Sequence, residues 1–296
     1  MNKKILVIGG SGLIGYNLVK EFINEKEDIR FTYYKNKIQL KNNHELDSSI
    51  EEDTIELISK INPDIIIQTV ALAGVDLAEK NHELADQITV KSTKNIIQGC
   101  KQTKSKLIYV STTYVFDGKK KIFHENDIPT PKSYYGITKL QAEKEIQNSN
   151  LKYLILRTDQ PYFWIEKGQR MNSVIRVLQT LKKKSILNEI TDWYNVPTYV
   201  PDFVNATKIL MNNNEEGIFH ITGSDFVNRY NWSLKVAEIF GLNKKFINPI
   251  TSDKLSLAIK RDNINVSNEK IQKKTGIKMR GIEEGLLDML KHKRKF

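Results

Sequence analysis

Short apolar runs alternate with amphipathic stretches along the first half of the chain. The runs have the length of buried β-strands, and the apolar residues between them recur at the spacing of a helix face. The predicted strands span residues 5–8, 29–34, 64–70, 107–110 and 153–156. The predicted helices span residues 13–25, 54–61 and 84–103, and a further helix contains residues 139–146. Continuous apolar strands separated by helices are typical of a parallel sheet covered on both faces. The pattern therefore predicts an α/β fold with a doubly wound, Rossmann-type sheet.

The pattern becomes irregular after Arg157. Loops that contain proline alternate there with helical pieces at residues 173–182, 232–240 and 282–291. We therefore expect a first domain over residues 1–157 and a smaller C-terminal lobe over residues 158–296, and we leave open a return of the chain to the first domain. The lobe is expected to lie over the carboxyl ends of the strands, where ligands bind in open α/β sheets.

The amino-acid composition limits the kinds of partner that the protein is expected to bind. The 296 residues carry a net charge of +11, from 46 basic and 35 acidic residues. The lysines are scattered along the whole chain, so no nucleic-acid partner is expected. The one dense basic cluster, residues 291–295, is predicted to be a solvated tail. The single cysteine, Cys100, excludes a disulfide framework and a cysteine-built metal site, and it is predicted to be an inert core thiol.

Neither a membrane nor a metal is expected as a partner. No apolar run reaches membrane-spanning length, and the apolar start at residues 5–8 breaks into glycines instead of continuing as a signal peptide. The protein is therefore predicted to be cytoplasmic. The five histidines are spread along the chain without ligand spacing. They are predicted to be surface or loop residues, and no metal site is expected.

Glycines recur at positions 9, 12 and 15, directly after the first predicted strand. In a dinucleotide-binding turn the first glycine permits the tight turn, the second lets the backbone approach a pyrophosphate, and the third lets the helix pack close to the sheet. The phosphates then rest on the N–H groups at the start of the helix. A plain tight turn is the structural alternative. The pattern predicts a dinucleotide site formed by Gly9, Ser11, Gly12, Leu13 and Ile14.

The end of the second predicted strand indicates which cofactor binds. An acidic residue there would hydrogen-bond the adenosine ribose of NAD, but the segment after the strand is Lys35-Asn36-Lys37, without an acid. Lys35 or Lys37 could neutralise the 2′-phosphate of NADP, although lysine is abundant throughout the chain. We therefore expect NADP(H) to be preferred, with NAD(H) as the alternative. Residues 1–157 are thus predicted to be the dinucleotide-binding domain, and residues 158–296 mainly the substrate-binding lobe.

Hydroxyl side chains follow the predicted strand at residues 107–110, where Ser111 and Thr112 face the crevice. Tyr135 and Lys139 come later and are four residues apart, so on a helix they share one face. A lysine ammonium beside a phenol favours the phenolate and lowers the pKa of the phenol, which would make Tyr135 a usable proton donor at neutral pH. An exposed amphipathic pair is the structural alternative. The order of these residues after the glycine turn favours a catalytic set.

Five segments together carry a resemblance to a known family. They are the glycine turn at residues 9–15 and residues 62–67, 75–79, 111–118 and 135–139. In these segments the chain resembles the extended short-chain dehydrogenase/reductases, and within them the dTDP-4-dehydrorhamnose reductase group. The resemblance implies an oxidoreductase of deoxysugar (dTDP-rhamnose) and polysaccharide biosynthesis. In such enzymes NADPH delivers hydride to the C4 ketone of a nucleotide-linked 4-keto-6-deoxy sugar.

The resemblance also implies roles for individual residues. Thr112 would hydrogen-bond the ketone oxygen, Tyr135 would protonate it, and Lys139 would assist. Asp47 and Ala71 fall where the family contacts adenine and ribose. An arginine fork suits a diphosphate, and an indole can stack on a base or a sugar. In the C-terminal lobe the candidates for contact with a nucleotide-diphosphate sugar are Arg170, Trp193, Thr198 and Arg261.

The sequence departs from the family on the side of the sugar. Asp159, Gln160 and Pro161 follow Thr158 where relatives carry a tryptophan that flanks the sugar, and Thr113 replaces an acidic residue. Two alternative functions stay open. One is a non-catalytic NADP-binding regulatory subunit similar to that of methionine adenosyltransferase, and the other is a sugar-nucleotide epimerase of the same superfamily. A homodimer stays open as well.

Overall fold

The computed structural model describes residues 3–292. The strands within these residues, in chain order, are β1 (Lys4–Ile8), β2 (Asp28–Tyr33), β3 (Asn43–Glu45), β4 (Ile65–Gln68), β5 (Lys106–Thr112), β6 (Tyr153–Thr158), β7 (Leu187–Ile190), β8 (Tyr194–Asn195), β9 (Gly217–His220), β10 (Val227–Asn228) and β11 (Ile247–Ile250). The α-helices are α1 (Leu13–Asn24), α2 (Glu51–Ile61), α3 (Val75–Lys80), α4 (His82–Ala85), α5 (Ser92–Thr103), α6 (Tyr134–Gln147), α7 (Ser173–Lys182), α8 (Val200–Asn212), α9 (Arg229–Ile239), α10 (Glu269–Thr275) and α11 (Ile282–Lys291).

Seven strands form one sheet in the order β3-β2-β1-β4-β5-β6-β9. Every neighbouring pair in this sheet is parallel, which confirms the predicted doubly wound parallel sheet. The strand order reverses between β1 and β4. In open α/β sheets the loops that follow two such strands leave in opposite directions, and ligands bind in the crevice between them at the carboxyl edge.

The central strands are buried on both faces because successive side chains point to opposite sides of a sheet. Ile5 and Val7 of β1 pack on one face with side chains of α1 and α8. Leu6 and Ile8 pack on the other face with side chains of α2, α5 and α6. A strand covered on both faces needs an apolar residue at every position, which is why the sequence shows continuous apolar runs and not an alternating pattern.

The segment between α4 and α5 differs from its prediction. The predicted helix over residues 84–103 is confirmed as a continuous helical stretch, but residues Asp86–Lys91 within it have π-helical and not α-helical hydrogen bonding. Within the turn, the hydroxyl of Thr89 accepts a hydrogen bond from the backbone N–H of Leu72 at 3.2 Å. π-Helical turns occur inside helices where a local contact outweighs regular helical pairing, often beside functional sites. Here the contact ties the helix to the loop that follows β4.

The C-terminal lobe has a hydrophobic core of its own. Side chains of α7, α9 and α11 pack there against β7 and β11, which form a separate parallel pair. The chain also returns to the large sheet, because β9 pairs with β6 and α8 packs against α1. A strand and a helix from the second half of the chain therefore belong to the large sheet and its covering layer. The domain division at residue 157 stays a prediction.

Cys100 and His220 are both buried, although the sequence predicted this for the cysteine alone. Cys100 is fully buried on α5, and burial raises the pKa of its thiol to about 12, which confirms the predicted core thiol. His220 lies fully buried on β9 beside Arg157 of β6, so the predicted surface or loop position is wrong. Burial, followed by the charge of Arg157, lowers the pKa of His220 to about 3, and the imidazole is neutral.

The remaining expectations concern the surface and the end of the chain. No helix within residues 3–292 is long and apolar enough to span a membrane. Across the same residues, no group of three or more histidine, cysteine, aspartate or glutamate side chains is placed to hold a metal ion. The predicted solvated tail lies outside the described residues from position 293 onward.

Candidate active site

The glycine turn lies between β1 and α1 at the carboxyl edge of the sheet. Gly12 is exposed and stands at the N-cap of α1 without a side chain. The first N–H groups of a helix have no intrahelical partners, so those of Leu13 and Ile14 are available to an anion. A Cβ at Gly15 would collide with the carbonyl oxygen of Gly9, which is why the helix packs so close to the turn. This geometry suits a pyrophosphate.

A loop from the second half of the chain crosses the glycine turn. The side-chain amide of Gln169 donates hydrogen bonds to the carbonyl oxygens of Ser11 at 2.9 Å and Gly12 at 3.3 Å. The side-chain amide of Asn36, which follows β2, donates to the carbonyl oxygen of Gly168 at 2.8 Å. The loop therefore connects two stretches of the predicted cofactor site. This contact could not be predicted from the sequence, because Gln169 and Ser11 are 158 positions apart.

Lys35, Asp47 and Ala71 lie around the same end of the sheet. Lys35 is exposed, and its Nζ lies 5.3 Å from the ring centroid of Tyr34, so the ammonium can reach an anion beyond β2. The carboxylate of Asp47 accepts hydrogen bonds from the backbone N–H of Ser49 at 3.0 Å and from its hydroxyl at 2.7 Å. Ala71 is partly buried in the loop after β4. Their contacts with a cofactor stay predictions.

Replacement of Lys35 by glutamate is expected to weaken NADPH binding about tenfold and to leave NADH binding unchanged. The physical reason is that the exposed ammonium stabilises the 2′-phosphate, which NADH lacks. Lys20→Glu makes the same charge change on α1 and serves as the control, with neither affinity altered. Titration calorimetry with both cofactors measures the effect. Equal weakening of both cofactors, or no weakening, would contradict a preference for NADP(H).

Thr112 and Tyr135 meet because α6 begins directly against the end of β5. The hydroxyl of Ser133 caps α6 by accepting a hydrogen bond from the backbone N–H of Gly136 at 3.1 Å. A Cβ at Gly136 would collide with the carbonyl oxygen of Tyr114, so glycine at this position lets the helix approach the strand end. The phenol of Tyr135 is hydrogen-bonded to the hydroxyl of Thr112. Two hydroxyl groups thus lie side by side at the crevice.

Lys139 lies one turn further along α6 than Tyr135. Its Nζ donates a hydrogen bond to the carbonyl oxygen of Val110 at 2.6 Å and lies 4.0 Å from the ring centroid of Tyr109. The side chain is buried. Burial lowers the pKa of Lys139 to about 7, while the negative charge of Glu143 acts in the opposite direction. The structure therefore brings the three predicted catalytic residues together at the carboxyl end of β5.

The predicted lowering of the Tyr135 pKa is wrong. Burial raises this pKa, the hydrogen bond with Thr112 lowers it, and the nearby charge of Asp159 raises it further. The Nζ of Lys139 turns towards the carbonyl oxygen of Val110 and not towards the phenol. Tyr135 is consequently protonated at neutral pH, as a proton donor has to be.

Asp159 is a titratable residue that was not selected from the sequence. It directly follows β6, and the residue before it, Thr158, lies opposite Thr112 in the sheet. Its carboxylate accepts a hydrogen bond from the backbone N–H of Val196 at 2.9 Å. Burial raises the pKa of Asp159 to about 6, although this hydrogen bond and one from the side chain of Asn195 oppose the shift. The position of Asp159 beside the site follows from strand register, and strand register leaves no recognisable spacing in the sequence.

We expect the replacement of Asp159 by asparagine to raise the free energy of unfolding above that of the wild type at pH 7 and to change it little at pH 4. The folded pKa of about 6 lies above the unfolded value of about 3.9. Ionisation of Asp159 therefore lowers the free energy of unfolding progressively as the pH rises between these two values. The decrease is complete at neutral pH. The gain of the variant over the wild type should grow from near zero at pH 4 to the order of 2 kcal/mol at pH 7.

Chemical denaturation at the two pH values measures this difference. Asp127→Asn is the control with the opposite sign, because the side chain of Lys120 and the backbone N–H of His124 hold the pKa of the partly exposed Asp127 carboxyl below its usual value. That variant should lose stability as the pH rises. A gain for Asp159→Asn that is equal at pH 4 and pH 7 would contradict the ionisation argument.

Trp193 and Arg261 lie on the lobe side of the crevice. Trp193 and Tyr135 pack against the same cluster of buried side chains. The guanidinium groups of Arg229 and Arg261 lie 5.4 and 5.9 Å from the ring centroid of Trp193, and within the described part of the chain its buried Nε1 has no hydrogen-bond partner. Arg261 is held in an ion pair with Asp76. Substrate contacts of Trp193 and Arg261 stay predictions.

Arg170 and Thr198 are placed differently from each other. Arg170 is exposed and donates a hydrogen bond to the carbonyl oxygen of Ala73. Its charge acts on the pKa of Tyr135, so it lies at the catalytic end of the crevice. Thr198 is fully buried, and its hydroxyl accepts a hydrogen bond from Thr158 at 2.9 Å. The structure buries Thr198 beside the end of β6, and its contact with a substrate stays a prediction.

The parallel sheet, the open glycine turn and the predicted catalytic set of Thr112, Tyr135 and Lys139 are the features of the extended short-chain dehydrogenase/reductase fold. The sequence profile described as the RmlD substrate binding domain matches residues 3–295. The chain belongs to this family, and the resemblance predicted from the sequence is confirmed.

Similar proteins cover nearly the whole chain. Methionine adenosyltransferase 2 subunit beta of Pongo abelii is 28% identical over an alignment of 305 positions, gaps included, that covers 99% of this chain and 90% of that protein. dTDP-4-dehydrorhamnose reductase of Aggregatibacter actinomycetemcomitans is 28% identical over 93% of this chain and 94% of that protein. The crystal structure of dTDP-4-dehydrorhamnose reductase from Bacillus anthracis in complex with NADP has a TM-score of 0.89 at 23% identity, over 99% of this chain and 100% of that chain.

Proposed function

We propose that the protein is an NADPH-dependent reductase that acts on the C4 ketone of a nucleotide-linked 4-keto-6-deoxy sugar. Membership of the RmlD family supports a sugar-nucleotide reductase or epimerase type of function. A relative of nearly equal length is a dTDP-4-dehydrorhamnose reductase, so the dTDP-linked sugar is the substrate we favour. The proposal includes a cytoplasmic location and a role in deoxysugar biosynthesis.

The observation that carries this proposal is the arrangement of Thr112, Tyr135 and Lys139 around the end of β5. A threonine hydroxyl and a protonated phenol are hydrogen-bonded to each other at the crevice, and a buried lysine lies one helical turn away. Two adjacent hydroxyl groups can hold one carbonyl oxygen between them. The set lies on the same edge of the sheet as the glycine turn, because parallel strands end at the same edge.

The position of each of the three residues suits a different role in ketone reduction. The hydroxyl of Thr112 donates a hydrogen bond to the ketone oxygen and fixes its place. Tyr135 transfers its proton to that oxygen as negative charge develops there. The ammonium of Lys139 can stabilise the phenolate that remains on Tyr135 when its Nζ turns from the carbonyl oxygen of Val110 towards the phenol oxygen, since a nearby positive charge favours the ionised phenol. The three residues thereby supply orientation, a proton and charge stabilisation.

The crevice residues fit a nicotinamide dinucleotide. The N-terminus of α1 offers N–H groups at Leu13 and Ile14 for the pyrophosphate, and the exposed Lys35 suits a 2′-phosphate. Asp47 and Ala71 are the proposed contacts for adenine and ribose. When it is bound, the reduced cofactor supplies the hydride for the carbonyl carbon.

The test is NADPH oxidation by the purified protein with a panel of dTDP-, UDP-, GDP- and CDP-linked 4-keto-6-deoxy sugars. We expect the fastest oxidation with the dTDP-linked ketone and a sugar product with a hydroxyl at C4, identified by NMR. An epimerase regenerates its cofactor, so stoichiometric consumption of NADPH separates a reductase from that alternative. Cofactor binding without any oxidation across the panel would overturn the proposal.

The similarity to methionine adenosyltransferase 2 subunit beta, which extends over 99% of the chain, favours a second candidate. In that case the protein would be a non-catalytic NADP-binding regulatory subunit. Co-expression with a methionine adenosyltransferase catalytic subunit, followed by size-exclusion chromatography, tests it. Co-elution without ketone reductase activity would favour this candidate over the reductase.

A further inference from the structure

The face of α6 that carries Tyr135 and Lys139 continues to Glu143, one turn further on. Residues four apart on a helix lie on the same face, so the three side chains follow each other along the helix from the crevice into the protein. Lys139 and Glu143 are both buried, at 2% and 0% exposure. A buried charge is unfavourable unless it is paired or hydrogen-bonded. The surroundings of Glu143 therefore decide what its carboxylate does for Lys139.

Glu143 is fixed by two residues that lie opposite each other on β5 and β6. The hydroxyl of Ser111 donates a hydrogen bond to Oε1 at 2.5 Å. Arg157 donates from Nε to Oε1 at 3.0 Å and from Nη2 to Oε2 at 2.6 Å. This two-point contact has the geometry of a charged guanidinium–carboxylate pair. The carboxylate is thus held in place beneath the strand end by the sheet itself.

The surroundings of Lys139 are poor in compensating charge apart from Glu143. Its Nζ has one hydrogen bond, to the carbonyl oxygen of Val110, and one aromatic face, that of Tyr109. Burial lowers its pKa to about 7, and Glu143 is the charged group that acts against this. The titratable groups with described contacts to Lys139 or Glu143 are Tyr109 on β5, whose ring faces Nζ, and Arg157 on β6, which pairs with Glu143. Asp86 on the π-helical turn and Glu79 on α3 contact Tyr134 at the start of α6.

We propose that Glu143 is a positioning residue that keeps Lys139 protonated behind Tyr135, with Ser111 and Arg157 holding the carboxylate in place. Glu143 does not touch the crevice, since it is fully buried, so it acts through Lys139. The proposal rests on the proposed function for its catalytic meaning, because a reductase needs the ammonium to stabilise the phenolate. The protonation of Lys139 itself can be measured without any turnover.

The direction of the effect follows from the charges. Removal of the negative charge of Glu143 leaves burial unopposed, so Lys139 loses its proton at a lower pH. If turnover depends on a charged Lys139, the alkaline limb of the pH–rate profile then has its midpoint at a lower pH. A residue that only stabilised the fold would lower the stability of the protein without moving this midpoint.

The experiment is a titration of Lys139 in the full chain, followed through the 13C resonance of Cε in lysine-labelled protein and assigned with Lys139→Met. Glu143→Gln removes the charge, and Glu143→Asp retains it. Glu145→Gln is the matched control on the same helix, where Glu145 forms a surface ion pair with Lys94 at 3.2 Å. The double variant Glu143→Gln/Arg157→Met removes both members of the buried pair, which avoids an unpaired buried charge if the single variant does not fold.

We expect the midpoint of Lys139 to fall by about one pH unit or more in Glu143→Gln and in the double variant. It should stay at the wild-type value in Glu145→Gln and close to that value in Glu143→Asp. The alkaline limb of the kcat/KM profile should move with it. An unchanged midpoint in Glu143→Gln, or in the double variant, overturns the proposal. A shifted midpoint in a protein that reduces none of the ketones supports the role of Glu143 and refutes the proposed function alone.

Discussion

Replacement of Tyr135 by phenylalanine is expected to slow ketone reduction by about 10²–10⁴-fold, the usual contribution of a general acid. The hydroxyl is protonated at neutral pH because burial raises its pKa, and it is hydrogen-bonded to Thr112 at the crevice. Phenylalanine keeps the ring and its edge contact with Tyr114, whose centroid lies 6.0 Å away. The fold and the affinity for NADPH should therefore persist, and the loss should appear in kcat.

Tyr134→Phe is the matched control, because it removes the same hydroxyl group one position earlier. The phenol of Tyr134 donates a hydrogen bond to Asp86 at 2.8 Å, and its ring stacks on His82 at a centroid distance of 3.6 Å. This variant should lose about 1 kcal/mol of stability and keep a kcat close to that of the wild type. Steady-state kinetics with the dTDP-linked ketone decide the matter. A Tyr135→Phe protein that reduces the ketone at the wild-type rate would exclude Tyr135 as the proton donor.

The sheet could be predicted from the sequence because both of its faces are covered. Each central strand needs apolar residues at successive positions, and the run Ile5–Ile8 shows this directly. The π-helical turn between α4 and α5 could not be predicted, since it accompanies a hydrogen bond between Thr89 and Leu72. A return of the chain to the first domain was left open, but its route through β9 could not be predicted, because a single short strand carries no information about which neighbour it pairs with.

The candidate catalytic set could be selected from the sequence because each of its parts is local. Thr112 ends a strand, and Tyr135 and Lys139 are separated by one helical turn. Their electrostatics were not visible, since a spacing gives the separation of two side chains along a helix but not their burial or the direction of an Nζ. Glu143 continues the same four-residue series, so the sequence did contain a signal for it. Its partner Arg157 comes from another strand and could be found only through the sheet register.

The free 4-keto-6-deoxy sugar is expected to be reduced at least about 10²-fold less efficiently, in kcat/KM, than its dTDP conjugate. Binding energy from a remote part of a substrate positions the reacting group and appears as rate. The predicted source of such binding is the lobe side of the crevice, where the guanidinium groups of Arg229 and Arg261 lie beside the aromatic ring of Trp193. These groups complement a base and a diphosphate and have no counterpart on the free sugar.

Arg261→Ala should raise KM for the dTDP-linked ketone with a smaller change in kcat, if the contact is equally strong in the ground and transition states. Arg280→Ala is the control, since Arg280 is paired with Asp202 and belongs to none of the crevice contacts described above. A comparison of initial rates for the free and the conjugated sugar decides whether the lobe recognises a nucleotide. Comparable rates would mean that it does not, and would favour a reductase of small carbonyl compounds or the regulatory subunit. A loss confined to Arg261→Ala and to the conjugated substrate would assign the diphosphate contact to the lobe.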